Sequence, residues 1–481
     1  MIKETENWKG RRVVVLGLAR SGVAVARLLH KLGAKVIAND IKPRSQCPEA
    51  SLLEQSGIPV ICGEHPDNLI HKEVDLLVKN PGIPYLAKPV QQALEKGIPV
   101  ITEVEIAGSL SRGHLVGITG SNGKTTTTTL VGKMLQAGGI DAVVAGNIGQ
   151  ALTEVVEELT SDQWLVAELS SFQLKGTRHF HPRVAALLNV VPAHLDYHQT
   201  MEDYISSKGR LFQNQTGNDV AVLNADSEIC RQMSENIAST IWWFSRTQQL
   251  QHGVFVRNGR IMVRRPEQVE KMKTVTEKML KWYNHSEEVS PDEQPILPVS
   301  ELAMRGDFNL ENALAATAIA LACGCPVDAI RETLRTFHGV EHRLEYVAEI
   351  GGAVYYNNSK ATNAEAAIKS LQSFDEPIVW IAGGLDRGVD FAELVPVMKE
   401  RVKAVVAYGQ TKSIFMERAK EAGIDERRMV QDVKEAVVIA SRLAGPGDVV
   451  LLSPACASWD LYTSFEERGS IFKQAVHSLQ I

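Results

Sequence analysis

The chain has 481 residues, 44% hydrophobic and 22% charged, with 51 Lys and Arg against 57 Asp and Glu for a formal charge of -6. That length exceeds one ordinary hydrophobic core and predicts two or three domains. The composition excludes a disordered chain, and the absence of a long basic run excludes general nucleic-acid binding, so any nucleotide is expected as a small molecule.

The opening Met1-Ile2-Lys3-Glu4-Thr5-Glu6-Asn7-Trp8 has no apolar signal core, and no uninterrupted run is long enough to cross a bilayer. A cytoplasmic protein without membrane insertion is expected. Strand-like Arg12-Val13-Val14-Val15-Leu16 leads into Gly17-Leu18-Ala19-Arg20-Ser21-Gly22, a helix to about Leu32, and a second strand ending at the acid Asp40. This is a βαβ unit similar to a dinucleotide fold, but Ala19 replaces the glycine that lets a pyrophosphate approach closely. Either the loop holds a differently placed diphosphate or the likeness is architectural. Strands at 75–78 and 98–101 close a first domain near residue 110.

The next element carries the strongest chemical signal. After the apolar Leu115-Val116 comes Gly117-Ile118-Thr119-Gly120-Ser121-Asn122-Gly123-Lys124-Thr125-Thr126, the chemistry of a loop that wraps the phosphates of ATP. Gly120 and Gly123 let backbone N–H groups turn inward, Lys124 would reach the outer phosphates, and Thr125 would hold Mg2+ through its hydroxyl. Ile118 stands where the strict consensus has glycine, so this is a variant loop.

Trp164-Leu165-Val166-Ala167 reads as a buried strand delivering Glu168 at its end, and residues 184–190 as another, followed by His194 and Asp196. If these strands are parallel, Lys124, Thr125, Glu168 and His194 converge at one sheet edge as a nucleotide–metal site. A carboxylate suits Mg2+; imidazole is a less usual ligand for it. Asn258-Gly259 predicts a tight hairpin between 253–257 and 260–263. Residues 267–284 read as a charged helix with a polar tail over 286–294, a surface insertion. Residues 312–321 form an apolar helix. Cys323 and Cys325 follow and are expected to fill core space; with Cys47, Cys62, Cys230 and Cys456 they show no repeated metal spacing.

A third domain begins near Phe337, with α/β strands at 354–357, 378–382, 402–407 and 448–452. Loops after them carry Lys360 and Arg387, two basic groups suited to a small anionic substrate. Cys456 lacks a neighbouring base in sequence, so covalent catalysis is not expected.

The phosphate loop, Glu168-Leu169-Ser170-Ser171-Phe172-Gln173-Leu174, His194-Leu195-Asp196, Asn309 with Asn312, His342-Arg343, Asn357-Asn358-Ser359-Lys360-Ala361-Thr362-Asn363 and Ser453 through Asp460 together resemble the Mur ligase family. The motifs run in order from Gly17 to Phe465, nearly the whole chain, and most closely resemble the branch that adds D-glutamate. The resemblance implies an α/β protein of three domains: a Rossmann-like UDP-sugar-binding domain at 1–110, a P-loop ATPase-like domain with a mostly parallel sheet at 111–338, and a Rossmann-like amino-acid-binding domain at 339–481. It implies ATP-dependent amide formation on UDP-N-acetylmuramoyl-L-alanine through an acyl phosphate, with ADP and phosphate released, by a monomer working in peptidoglycan precursor synthesis.

By the same resemblance, the loop at 117–126 would bind ATP together with Asn309, Asn312, Arg343 and Asn358, with Arg343 reaching the γ-phosphate. Thr125, Glu168, His194 and Lys208 would hold metal, two Mg2+ ions being implied. Lys208, on residue pattern alone a surface helix lysine, matches a lysine carbamylated in relatives, and as a carbamate would be an anion fit for Mg2+. Ala19, Arg20, Asp40, Ile41, Lys42, Asn80, Pro81, Gly82, Asn147 and His194 would hold the UDP-sugar; Lys360, Thr362, Arg387, Ser458 and Phe465 would hold D-glutamate. Asn358 stands where many relatives have aspartate and Arg387 where some have lysine. Closure of the third domain on the other two is expected. The alternatives are another amino-acid ligase of the family or a folate–glutamate ligase and, from other classes, a non-catalytic nucleotide-binding scaffold or an NAD-dependent oxidoreductase.

Overall fold

The computed structural model describes residues 8–265 and 293–479. The charged stretch at 267–284 lies outside the described residues; of the polar tail at 286–294, Glu293 and Gln294 are described and open the Glu293–Pro298 strand.

Arg12–Leu16 is valine-rich and buried beyond its first residue, as a strand covered on both faces must be. It sits in the middle of a five-stranded parallel sheet ordered Val60–Cys62, Lys35–Asp40, Arg12–Leu16, Leu76–Lys79, Val100–Ile101. The strand expected at 98–101 is shortened to two residues, because Pro99 has no N–H to give to a ladder. Parallel strands put their carboxyl ends at one edge. There Leu18 N–H donates to Asp40 Oδ2 at 2.8 Å and Asn80 N–H to the Leu16 carbonyl at 2.7 Å. Gly17, at φ +94°, has no room for a side chain: a Cβ would lie 2.7 Å from Asn80 Cβ.

The second sheet has nine described strands, in order Glu293–Pro298, Arg260–Arg264, Gly253–Arg257, Thr240–Ser245, Val220–Asn224, Val184–Leu187, His114–Thr119, Trp164–Glu168 and Ala142–Gly146. It is parallel from Ala142–Gly146 to Gly253–Arg257 and antiparallel beyond. The expected hairpin forms, with Asn258 and Gly259 at φ 49° and 70°, the left-handed pair its tight turn requires. The third sheet orders Glu345–Ile350, Ala353–Asn357, Val449–Leu452, Ile378–Gly383, Val402–Tyr408, Glu426–Met429, with only its first pair antiparallel.

The chain divides into two compact units, residues 1–301 with 311–333, and 302–310 with 334–481. In the first, one apolar cluster runs from Val13 and Leu29 through Leu174 and Phe180 to Leu223, so the first two sheets share a core. In the second, Trp380, Phe415 and Leu451 belong to one core cluster and Tyr355, Val406 and Phe472 to another. The apolar helix expected from 312 begins earlier, as Asp307–Ala322. Asn309 thus falls in the second unit and Asn312 in the first. Among the described residues no helix is long and apolar enough to cross a membrane.

Candidate active site

The phosphate loop forms between the His114–Thr119 strand and the Lys124–Ala137 helix. Gly123, at φ +81°, leads into the helix, and a Cβ there would stand 2.2 Å from Asn312 Oδ1. The loop is pinned from the neighbouring strand end: Asn122 N–H donates to Asn189 Oδ1 at 2.9 Å, and Val191 N–H to Ser121 Oγ at 3.0 Å. Lys124 Nζ donates to the carbonyls of Gly120 and Ser121 at 2.9 and 3.0 Å. Thr127 Oγ1 donates to Asn312 Oδ1 at 3.3 Å, tying Asn312 to the loop's helix.

The parallel register pairs Ile118 with Glu168 and Thr119 with Leu187, so the turns carrying Lys124, Glu168 and His194 leave one edge, as the sequence predicts. Glu168 is 1% exposed; its Oε1 accepts from Asn147 Nδ2 at 2.9 Å, while its Oε2 is buried without a hydrogen-bond partner. An orphaned buried carboxylate oxygen is costly unless a cation satisfies it. That oxygen, the Thr125 hydroxyl at the helix start and the phosphate-wrapping glycines fit a Mg2+–nucleotide, which takes few protein ligands besides phosphate oxygens.

Lys208 differs from its reading as a surface helix lysine. It is 1% exposed, and its Nζ donates to the Gly120 carbonyl at 2.8 Å. Thr200 caps the Met201–Gly209 helix by accepting from Asp203 N–H, which turns Lys208 inward with Tyr204, whose hydroxyl bonds Ser121 Oγ at 2.9 Å. Burial, then the charge of Lys124, pushes the Lys208 pKa down to about 6.

His194 is exposed and sits at φ 57° at the start of a short turn of helix. Its ring packs edge-on to Phe172 at 5.0 Å between centroids. Desolvation and then the charges of Lys124 and, more weakly, Lys208 hold its pKa below the usual histidine range, so it is neutral near pH 7. The Ser170 to Gln173 motif is a capping box: Gln173 N–H donates to Ser170 Oγ, and Ser170 N–H to Gln173 Oε1 at 2.9 Å. It presents Phe172 to His194, Tyr197 and His198.

In the first sheet's edge, Asp40 Oδ1 accepts from Lys42 N–H at 2.9 Å, Ser21 Oγ donates to Asn80 Oδ1 at 3.1 Å, and Ala19 caps the Arg20–Lys31 helix in extended conformation. Arg20 reaches Glu154 at 3.3 Å and the Gly149 carbonyl. Asn147 bonds Glu168 twice, its N–H donating to the Glu168 carbonyl and its Nδ2 to Glu168 Oε1, each at 2.9 Å. Ile41 is exposed, and a Cβ on Gly82 would meet open space.

In the second unit, Lys360 Nζ lies 4.1 Å from the centroid of the Phe465 ring, and Ser359 Oγ donates to the Phe465 carbonyl at 2.7 Å. Arg387 stacks 5.1 Å over Trp459, the residue after the buried Ser458. Thr362 is exposed on the same loop as Lys360. Asn358 is held by two hydrogen bonds: its Oδ1 accepts from Leu344 N–H at 3.2 Å and its amide donates to Ser370 Oγ. Arg343 N–H donates to the Val340 carbonyl at 3.0 Å, between His342 and Leu344 at positive φ. Asn309 Nδ2 donates to the Arg305 carbonyl at 2.8 Å. Burial pushes the Cys456 thiol up to about 11, which disfavours its thiolate.

Three family descriptions match in order: Mur ligase MurD-like, N-terminal domain, at residues 11–102; Mur ligase middle domain at 118–320; and Mur ligase, glutamate ligase domain, at 342–456. The chain belongs to the Mur ligase family. This Mur ligase is 49% identical over 480 residues, covering 100% of both chains, to a protein of Geobacillus kaustophilus named "UDP-N-acetylmuramoylalanine--D-glutamate ligase". It is 44% identical over 468 residues, 97% of each chain, to one of that name from Bacillus subtilis. Among solved structures, UDP-N-acetylmuramate-alanine ligase MurC of Thermotoga maritima shares the fold, with TM-score 0.55, 18% identity and coverage of 98% of this chain and 99% of that one. MurF of Acinetobacter baumannii does likewise, with TM-score 0.56, 16% identity and coverage of 99% and 93%.

Sequence reasoning missed several residues that build this Mur ligase site. Asn189 and Tyr204 shape the phosphate loop, and Arg468, 0% exposed, donates to Ser359 Oγ at 2.9 Å, the Ser359 carbonyl at 2.8 Å and the Cys456 carbonyl at 3.1 Å, tying together the loops that carry Lys360 and Ser458. A helical arginine carries no local signal of burial; only its three carbonyl and hydroxyl partners, distant in sequence, explain it.

Proposed function

We propose that this chain is an ATP-dependent ligase that joins D-glutamate to the L-alanyl carboxylate of UDP-N-acetylmuramoyl-L-alanine, making a peptidoglycan precursor in the cytoplasm as a monomer. The observation that carries the reading is similarity over the full length to proteins of that name, in a chain that keeps the phosphate loop, the orphaned Glu168 oxygen and the buried Lys208.

In this reading the substrate carboxylate oxygen attacks the γ-phosphorus of ATP and ADP leaves. The neutral amine of D-glutamate then attacks the acyl carbon, phosphate leaves with the bonding pair, and the nitrogen gives its proton to solvent. Lys124 and the N–H groups of residues 117–126 draw charge off the outer phosphates, aided by Arg343, while Asn309, Asn312 and Asn358 serve the nucleotide. Thr125, Glu168, His194 and Lys208 as its carbamate would hold Mg2+, which when bound screens the phosphate oxygens from the incoming carboxylate. Ala19, Arg20, residues 40–42 and 80–82, Asn147 and His194 orient the UDP-sugar. Lys360, Thr362, Arg387 and Ser458 hold the two carboxylates of D-glutamate against Phe465. The proposed domains are 1–110, 111–338 and 339–481.

The test is phosphate release with Mg-ATP and UDP-N-acetylmuramoyl-L-alanine, comparing D-glutamate with L-glutamate, L-lysine and meso-diaminopimelate while mass spectrometry follows the product. A D-glutamyl adduct alone is expected; an adduct with a different amino acid moves the chain within the family, and no adduct with any overturns the reaction.

A further inference from the structure

Lys79 ends the Leu76–Lys79 strand and is 1% exposed. Its Nζ donates to the carbonyls of Ile83 at 2.8 Å, Pro81 at 3.1 Å and Asn80 at 3.4 Å, and to Tyr197 Oη at 3.1 Å. The ring faces of Tyr85 and Tyr197 lie 4.8 and 5.7 Å away. Tyr197 Oη in turn donates to the carbonyls of Pro81 at 3.1 Å and Ile83 at 3.3 Å, one hydroxyl proton shared between two acceptors.

Two forces act on this amine. Burial and the neighbouring Lys175 lower its pKa to about 7. Four oxygen acceptors and two ring faces favour the ammonium, whose three N–H bonds such a set matches and a neutral amine's two do not. Geometry decides for an amine that donates in every direction, held by dipoles.

What those acceptors belong to gives the cluster its meaning. Residues 80–83 form the turn that packs on Gly17 and carries Asn80, whose side chain accepts from Ser21 Oγ. Tyr197 sits in the turn that His194 begins, in edge contact with Phe172, which also contacts His194. We infer that Lys79 is a positioning residue of the reaction, clamping the turn at 80–83 to Tyr197 so that the loop holding the UDP-sugar and the turn carrying His194 keep one geometry. This rests on the reading of residues 80–82 as part of the UDP-sugar site.

The clamp predicts a specific kinetic signature. Lys79→Met, nearly equal in volume, removes the ammonium's bonds to three carbonyls, and losing hydrogen bonds to a charged group raises KM for UDP-N-acetylmuramoyl-L-alanine about 10- to 100-fold. The KM for ATP stays within about 2-fold, since the bonds Lys124 makes to the Gly120 and Ser121 carbonyls lie within its own loop. Tyr197→Phe, which keeps the ring and its packing, raises the same KM about 3- to 10-fold, and adds less than its full effect in the Lys79→Met background because both side chains hold the same two carbonyls. An unchanged KM in Tyr197→Phe, or fully additive effects in the double variant, overturns the clamp, as does a Lys79→Met protein whose melting temperature falls while its KM values hold. Calorimetry with UDP separates the two levels: wild type binding UDP, and Asn80→Ala weakening it, supports the site; if Lys79→Met then binds UDP as wild type does, the clamp alone falls. Wild type failing to bind UDP removes both.

Discussion

Lys208 and Lys124 share an acceptor: both amines donate to the carbonyl oxygen of Gly120, at 2.8 and 2.9 Å. Burial first, and then the neighbouring charge of Lys124, lower Lys208, the deeper of the two, to about 6. A neutral amine at pH 7 is free to attack CO2 and become an anion beside Lys124. Protein exchanged into 13C-bicarbonate is expected to give a carbamate carbon signal that Lys208→Ala lacks. That variant should lose about 100- to 1,000-fold in kcat, the scale of removing a preorganised group that acts on developing charge.

Glu168→Gln keeps an oxygen to accept from Asn147, removes the charge and puts an amide NH2 in place of the unpartnered oxygen. It should lower kcat/KM by about 100-fold or more and shift the Mg2+ titration of activity to higher concentration. The melting temperature should hold or rise, since an unpartnered buried carboxylate oxygen is removed. Differential scanning calorimetry beside the Mg2+ titration checks both halves.

Gly123→Ala places a methyl on a left-handed residue, 2.2 Å from Asn312 Oδ1. The conformational cost alone is about 1–2 kcal/mol, and Asn312 must shift as well. ATP affinity measured by calorimetry should fall by at least about 10-fold, while the KM for D-glutamate holds within about 2-fold.

The sequence made the nucleotide edge legible because its signals are local: glycines and a lysine in one turn, an acid after an apolar run, Asn-Gly between two strands. It misread Lys208 because burial of a helical lysine is decided by elements far away, Gly120 here. Lys79, Tyr197 and Arg468 escaped for the same reason, their partners lying 118 residues apart for Lys79 and Tyr197. The helix from 307 was read five residues late because Phe308 and Leu310 alternate with polar neighbours before the apolar run begins.

Glu103 offers a test of the core shared by the first two sheets. It accepts from Thr153 N–H at 2.6 Å, and burial raises its pKa from 4.5 to about 7. Between those values the folded protein binds a proton that the unfolded chain has released, so wild-type stability falls as pH rises through that window. Glu103→Gln cannot titrate. Its stability relative to wild type should climb from pH 4.5 to 7 by on the order of 3 kcal/mol, read by urea unfolding at several pH values; a flat difference would show that Glu103 is ionised in the fold.

The reaction itself is tested most directly by isotope transfer. UDP-N-acetylmuramoyl-L-alanine labelled with 18O in its alanyl carboxylate is turned over with Mg-ATP and D-glutamate, and the released phosphate is weighed by mass spectrometry. The account predicts one 18O atom in each phosphate, carried from the carboxylate through the acyl phosphate. Phosphate without the label would mean that water, not the substrate carboxylate, takes the phosphoryl group, and would contradict it.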